Sequence, residues 1–321
     1  MLNQTALGLG SLGLGTLALQ NLARTDAAEV VPAVKTAAQS DTSPAWKYSL
    51  NMSTIRGQKL PLDQQITVAS KAGYDAIEPW IGEIEAFVKG GGSLADQAKR
   101  CRDLGLSVVS AIGFAQWIVN DDDKRKAALE QARRDMDLIK QLGGTRIAAP
   151  PTGETNNASL DLLAAAKRYR ALCDIGHEIG VTPMVEVWGF SKSLSRLGEA
   201  TLVAIESGHP DACVLPDIYH LYKGGSDFAG LELLSKSGVQ IFHVNDYPAK
   251  LDRSTIKDAD RVYPGDGIAP LAEIFGALRE SGFNGHLSLE LFNPEYWKQD
   301  AQQVATTGLE KTKAAVAKAL S

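Results

Sequence analysis

Four polar side chains stand where the sequence otherwise reads as buried strand: Glu186 in VTPMVEVWGF, Asp217 in CVLPDIYH, His243 in VQIFHVND and Glu290 in HLSLELF. A carboxylate taken out of water must be paired, protonated or bound to a metal, because an isolated buried charge is strongly unfavourable. Two glutamates, an aspartate and an imidazole form a hard, oxygen-rich donor set. It suits Mn²⁺, Mg²⁺ or Co²⁺ and is acceptable to Zn²⁺. One divalent ion, Mn²⁺ ahead of the others, would explain all four side chains together. Each alone has a plainer reading, since Asp217 could simply cap the turn into YHLYKGG and a strand-end histidine is often a satisfied core group.

The elements that must bring them together are repeated. From Trp46 onward, short apolar runs alternate with amphipathic stretches, and eight strands are expected: KYSLNMS, DAIEPW, SVVSAIG, RIAAPP, TPMVEVW, ACVLPDI, QIFHVN and HLSLEL. Helices such as LDQQITVASKAG, LADQAKRCRDLG, KAALEQARRDMDLIKQLGG, SLDLLAAAKRYRALCDIGHEIG and IAPLAEIFGALRESG lie between them. Apolar strands separated by helices imply a parallel sheet covered on both faces, and eight such units predict an α/β fold, a single (β/α)8 TIM barrel. No G-x-G-x-x-G follows the first strand, which weighs against a dinucleotide-binding fold. Helix, glycine, strand recurs at SKAGYDAIEPW, RDLGLSVVSAI, QLGGTRIAAP, HEIGVTPMVEV, SKSGVQIFHV and RESGFNGHLSLEL. This phasing sets Glu78, Glu186, Asp217, His243 and Glu290 late in their strands, at the face where such barrels keep their active sites.

With the glutamate of MVEVW, the D-x-x-H of Asp217 to His220, the histidine of FHVND, the RVYPGDG segment and the glutamate of LSLEL, the chain resembles the xylose isomerase-like TIM-barrel superfamily from about Trp46 to its end. That superfamily includes ketose 3-epimerases, hydroxypyruvate isomerases, inosose dehydratases and endonuclease IV relatives. The resemblance implies Glu186, Asp217, His243 and Glu290 as ligands of one divalent ion. It implies Glu186 and Glu290 as paired acid and base, and His220 as a contact for substrate oxygen. A proton removed beside a carbonyl leaves an enediolate, whose charge a divalent ion stabilises. Its return from the other side gives epimerisation, its return at the neighbouring carbon gives aldose–ketose isomerisation, and loss of a β-hydroxyl gives dehydration. The expected activity is a metal-dependent sugar isomerase or epimerase on a ketose or keto-sugar derivative. The alternatives are a lyase or hydratase on an oxidised (3-keto) glycoside or inosose, and a non-catalytic sugar-binding barrel.

Trp188 and Trp80, at strand ends, could stack on a sugar face, while Glu78, Lys223, Asn245 and Arg261 could bind hydroxyls. Arg261 and Asp266 frame YPGDG, where Asp266 could instead cap the next helix, and the charged stretch 248–263 reads as a lid. Two departures from the family matter. NDYPAK lacks the arginine that epimerase-like relatives carry after the metal histidine, so substrate anchoring must differ. With five histidines, and His177, His209 and His286 read as surface or element-end residues, the zinc cluster of the endonuclease members cannot be built. No strong phosphate clamp is evident, which favours a free sugar.

A formal charge of −5 with scattered lysines and arginines gives no footprint for nucleic acid. Cys101, Cys173 and Cys213 lack metal or redox spacing and are expected to pack as small apolar residues. Residues 1–28 contain an uncharged, glycine-rich apolar run that reads as an export signal of twin-arginine type with a truncated basic region, followed by a linker over 29–45 and the barrel over 46–321. A periplasmic or exported location is expected, with a cytoplasmic one as the alternative. No stable membrane span is expected. A homo-oligomer stays open, without a readable interface.

Overall fold

The structure is a computed structural model and describes residues 46–321; the signal-like segment and linker expected before Trp46 lie outside the described residues. Eight parallel strands alternate with helices. The first half runs β1 (Lys47–Asn51), α1 (Leu62–Ala72), β2 (Ala76–Glu78), α2 (Ile81–Lys89), α3 (Leu94–Asp103), β3 (Ser107–Val108), α4 (Asp122–Gln141), β4 (Arg146–Ala149) and α5 (Leu162–Ile179). The second half runs β5 (Thr182–Glu186), α6 (Leu197–Glu206), β6 (Val214–Leu215), α7 (Ile218–Gly224), β7 (Ile241–Val244), α8 (Leu271–Glu280), β8 (His286–Leu289) and α9 (Ala301–Leu320).

Strands pair in the orders β3-β2-β1-β8-β7 and β4-β5-β6. Bridges Val214↔Val239 and Asp217↔His243 join β6 to β7. At the other seam, Ala111 N–H donates to Arg146 O at 3.2 Å and Ala148 N–H donates to Ala111 O at 2.9 Å. The sheet is therefore closed into the expected barrel. No helix among the described residues is long and apolar enough to cross a membrane.

Strand alternation divides the side chains between two cores. Outward residues such as Leu50, Ile77, Val185, Phe242, Leu287 and Leu289 join the helices in the larger apolar layer. A separate small cluster, Ala76, Val109, Ile112, Ala148, Met184, Cys213, Leu215 and Ile241, fills the barrel interior. All three cysteines are buried free thiols, as expected.

The glycine stops hold at most helix ends. Gly180, with φ +83°, caps α5 through its N–H to Gly176 O, a conformation that strongly favours glycine. Gly238 differs from expectation: a 3₁₀ turn, Phe228–Leu233, precedes it, and its N–H closes a turn on Ser235 O.

Candidate metal and active site

Inward-facing residues change chemistry along each strand. Ala76, Met184, Leu215 and Ile241 pack in the interior; two residues later stand Glu78, Glu186, Asp217 and His243. A period of two keeps each pair on one face, so an apolar floor carries a polar layer at the C-terminal ends. The register aligns that layer: Asn51 lies opposite Glu78, His243 opposite Ser288, and Asp217 bridges to His243.

His243, completely buried, is held from behind. Its Nε2–H donates to Glu78 Oε2 at 2.9 Å. The same oxygen accepts Asn51 Nδ2–H at 2.9 Å and Ser288 Oγ–H at 2.8 Å. Its Nδ1 faces the pocket, 3.3 Å from Glu290 Oε2, and has no hydrogen-bond partner. Burial would push the imidazole down, but Glu290 and Glu78 outweigh it and hold its pKa well above the ordinary histidine value. Glu78 Oε2 is thus engaged beneath the histidine, while its Oε1 is buried without a partner.

Asp217 both caps α7 and faces the pocket. Its Oδ1 accepts His220 N–H at 2.7 Å, while Oδ2 accepts Asn245 Nδ2–H at 2.7 Å and Arg261 Nη1–H at 3.1 Å. Arg261 is fully buried despite its charge, and the same Nη1 donates to Glu290 Oε2 at 2.7 Å. Its guanidinium packs on the rings of Tyr219 and Phe292. Asn245 is equally committed, since its Oδ1 accepts Tyr219 N–H at 2.9 Å. Arg261 and Asn245 were expected to touch substrate hydroxyls; the structure instead ties both to the buried carboxylates.

His220 meets Gly189 N–H at Nδ1, 3.2 Å away, and Arg261 Nη2 at Nε2, 3.1 Å away. A neutral imidazole has one lone pair, so only one of these donors is satisfied at a time. Burial and Arg261 lower its pKa. Position 189 must be glycine for this contact, because a Cβ there would stand 2.2 Å from His220 O.

Glu186 faces the same space with less support: its Oε2 is buried and has no partner. Burial, then Glu290, pushes its carboxyl up to about 8. Burial also acts to raise Glu290, but His243 and Arg261 overcome it and keep this carboxyl well below its ordinary value. The two glutamates therefore differ in their readiness to hold a proton. Asp217, His243 and Glu290 each offer one ligand atom, and the three atoms lie within 4.8 Å of one another. Glu186 stands outside that set.

The residues fit a divalent cation. Four buried acidic side chains, Glu78, Glu186, Asp217 and Glu290, crowd one pocket, where the Glu186 carboxyl is pushed up to about 8 and the His243 imidazole is held well above its ordinary value, so a cation there would take the place of protons. The imidazole Nδ1 aimed into it, Glu186 Oε2 and Glu78 Oε1 have no hydrogen-bond partner.

Trp188 is half-buried, as is Trp80. It belongs to a chain of rings from Phe292 through Trp80, Phe114 and Trp188 to Phe190, with successive centroids 5.0–6.2 Å apart. Lys223 points elsewhere: its Nζ donates to Ser254 O and Ile256 O at 2.8 and 2.9 Å, latching the 248–263 stretch to α7. Asp266 pairs with Lys311 at the surface instead of capping α8, which starts after Pro270. Asp246 shapes the PGDG turn by accepting the N–H groups of Gly265, Gly267 and Ala269. Sequence reasoning missed Asn51, Ser288 and Asp246, although Asn51 and Ser288 carry a strand-end polar signal like that of Glu290.

Residues 66–314 match the family described as xylose isomerase-like TIM barrel. The chain belongs to that family. Within it, the chain is 26% identical over 261 residues to the inosose isomerase of Bacillus velezensis, covering 80% of this chain and 92% of that one. It is 25% identical to the 3-dehydroshikimate dehydratase of Pseudomonas aeruginosa over 77% of this chain and 39% of the other. It is 24% identical to the fructoselysine 3-epimerase of Escherichia coli O157:H7 over 75% of this chain and 89% of that one. These family relatives are enzymes. Among solved structures, the IOLI protein with a bound zinc atom superposes with a TM-score of 0.78 at 23% identity, covering 85% of this chain and 98% of that one.

Proposed function

We propose that the protein is a divalent-metal-dependent isomerase or epimerase acting on a ketose, inosose or related keto-sugar by proton transfer at the carbon beside the carbonyl. The observation that carries this reading is the meeting of Asp217, His243 and Glu290 at one buried point with Glu186 facing the same space. Similarity to an inosose isomerase and a sugar 3-epimerase, and a zinc atom in a protein of the same fold, support it.

Asp217, His243 and Glu290, joined by Glu186, would hold the ion. When bound, it would supply the positive charge that stabilises an enediolate. Glu186, the last residue of β5, and Glu290, just after β8, would take up and return the proton. Arg261 fixes the Glu290 and Asp217 carboxylates, limiting their reorganisation during transfer. The ring chain from Phe292 to Phe190 would screen the reacting atoms from water and receive the apolar faces of the sugar.

The test is solvent deuterium uptake by a panel of inososes and ketoses, followed by NMR with the Mn²⁺-loaded protein. Uptake beside the carbonyl that Glu290→Gln loses supports the reading, and absence of uptake across the panel rejects it. Similarity to 3-dehydroshikimate dehydratase supports a second reading, dehydration of a β-hydroxy ketone by the same first proton removal. Its signature is a conjugated enone absorbing in the ultraviolet, which isomerisation does not produce.

A further inference from the structure

A second group of metal-type donors lies on α5 and the turn before β6. Asp174 and His177 are three residues apart on α5 and share one helical face. His209 and Asp211 flank Pro210 in the turn. His177 Nδ1 is 2.8 Å from Asp211 Oδ2, and one ligand atom from each of His177, His209 and Asp211 falls within 4.8 Å of the others. His209 Nε2 stands 3.6 Å from Asp174 Oδ1, bringing a fourth donor to the edge of the group.

The arrangement is held from both sides. Arg170, one turn before Asp174, donates through Nη1 to Ser207 O and Gly208 O, both at 3.0 Å, pinning the turn to the helix. The His209 side chain is only 6% exposed; its Nδ1 accepts Asp211 N–H at 3.1 Å and lies 4.0 Å from Asp211 Oδ2, so an ion bound at Nδ1 would take the lone pair from that hydrogen bond. His177 is 69% exposed, leaving an open approach for an ion. Zinc bonds of 2.0–2.2 Å in a tetrahedron place neighbouring donors about 3.3 Å apart, against contacts of 2.8, 3.6 and 4.0 Å already present, so the group would tighten around an ion.

A surface histidine–aspartate ion pair would explain the 2.8 Å contact alone. It would not explain the second, nearly buried imidazole or the second carboxylate. We propose that His177, His209 and Asp211, with Asp174, form a second binding site for a transition-metal ion of the zinc class, separate from the barrel mouth. The ion would clamp α5 to the turn that leads into β6, the strand followed by Asp217.

Zinc stoichiometry tests this directly. The chain has five histidines, and His177 is exposed enough to be replaced without opening the core. The full-length protein, His177→Ala, His243→Ala and the double variant would be equilibrated with Zn²⁺ by dialysis and counted for bound ion. The expected counts are two, one, one and none, with the second equivalent weakened at least tenfold by His177→Ala. A second equivalent that survives His177→Ala overturns the site. So does a wild-type count no higher than that of His177→Ala. A wild-type count of one that His177→Ala removes and His243→Ala leaves intact would reject the barrel-metal reading while leaving this site standing.

Discussion

Glu78 Oε2 lies 2.9 Å from His243 Nε2, with both side chains sealed from solvent. The carboxylate holds the Nε2–H and turns Nδ1 toward the pocket, the nitrogen that would lose its proton to a bound ion, and Asn51 and Ser288 fix the carboxylate in turn. A metal-binding histidine commonly has such a partner, which orients the ring and raises its basicity.

Glu78→Gln should therefore keep the barrel and weaken the metal. The amide preserves volume but loses the charge, so affinity for Mn²⁺ or Zn²⁺ at the barrel site should fall by about 10-fold or more. Calorimetric titration of wild type and variant checks this. Equal affinity would reduce Glu78 to a packing residue.

Arg261→Met should be costly in the metal-free protein. It leaves Asp217 and Glu290 buried without their shared cation, a loss of about 3–5 kcal/mol, or a fall in Tm of about 6–15 °C. Added Mn²⁺ should raise the variant's Tm by more than it raises that of wild type, because the ion replaces part of the missing charge. Melting with chelator and with Mn²⁺ decides the matter.

Much of this site was legible because a carboxylate inside an apolar run is a conspicuous anomaly. Glu186, Asp217 and Glu290 each stand out in this way, and strand alternation turns them inward. The jobs of Glu78, Arg261, Asn245 and Lys223 were not legible. Each belongs to a type that binds sugars well, and only the neighbouring elements show which buried groups or backbone carbonyls its side chain engages. Asn51 and Ser288 are small polar residues in short strands, ordinary until β2 and β7 bring Glu78 and His243 against them. His177 and His209 each read as a helix-terminal residue, since their meeting depends on how the turn folds back onto α5.

A separate expectation concerns Asp135 on α4, which is buried and carries a carboxyl pushed up to about 6 by that burial and by Glu85. Between its ordinary value and about 6, the folded protein retains a proton that the unfolded chain has released. Its contribution to stability is thus lost as pH rises through that window. Asp135→Asn should raise Tm by about 2–4 °C near pH 8, for a discounted gain of about 1 kcal/mol, and have little effect near pH 4. Melting curves at both pH values test the sign.

The most direct test of the central claim is thermal unfolding of metal-stripped His177→Ala protein titrated with Mn²⁺, Co²⁺, Mg²⁺ and Zn²⁺, so that the barrel site alone reports, beside a variant also carrying His243→Ala. An ion that binds only the folded state adds about 2.7 kcal/mol at one hundred times its Kd, a rise of about 5 °C or more. The account predicts that rise with at least one ion and its loss with His243→Ala. No rise with any of the four, or an equal rise in both proteins, would contradict it.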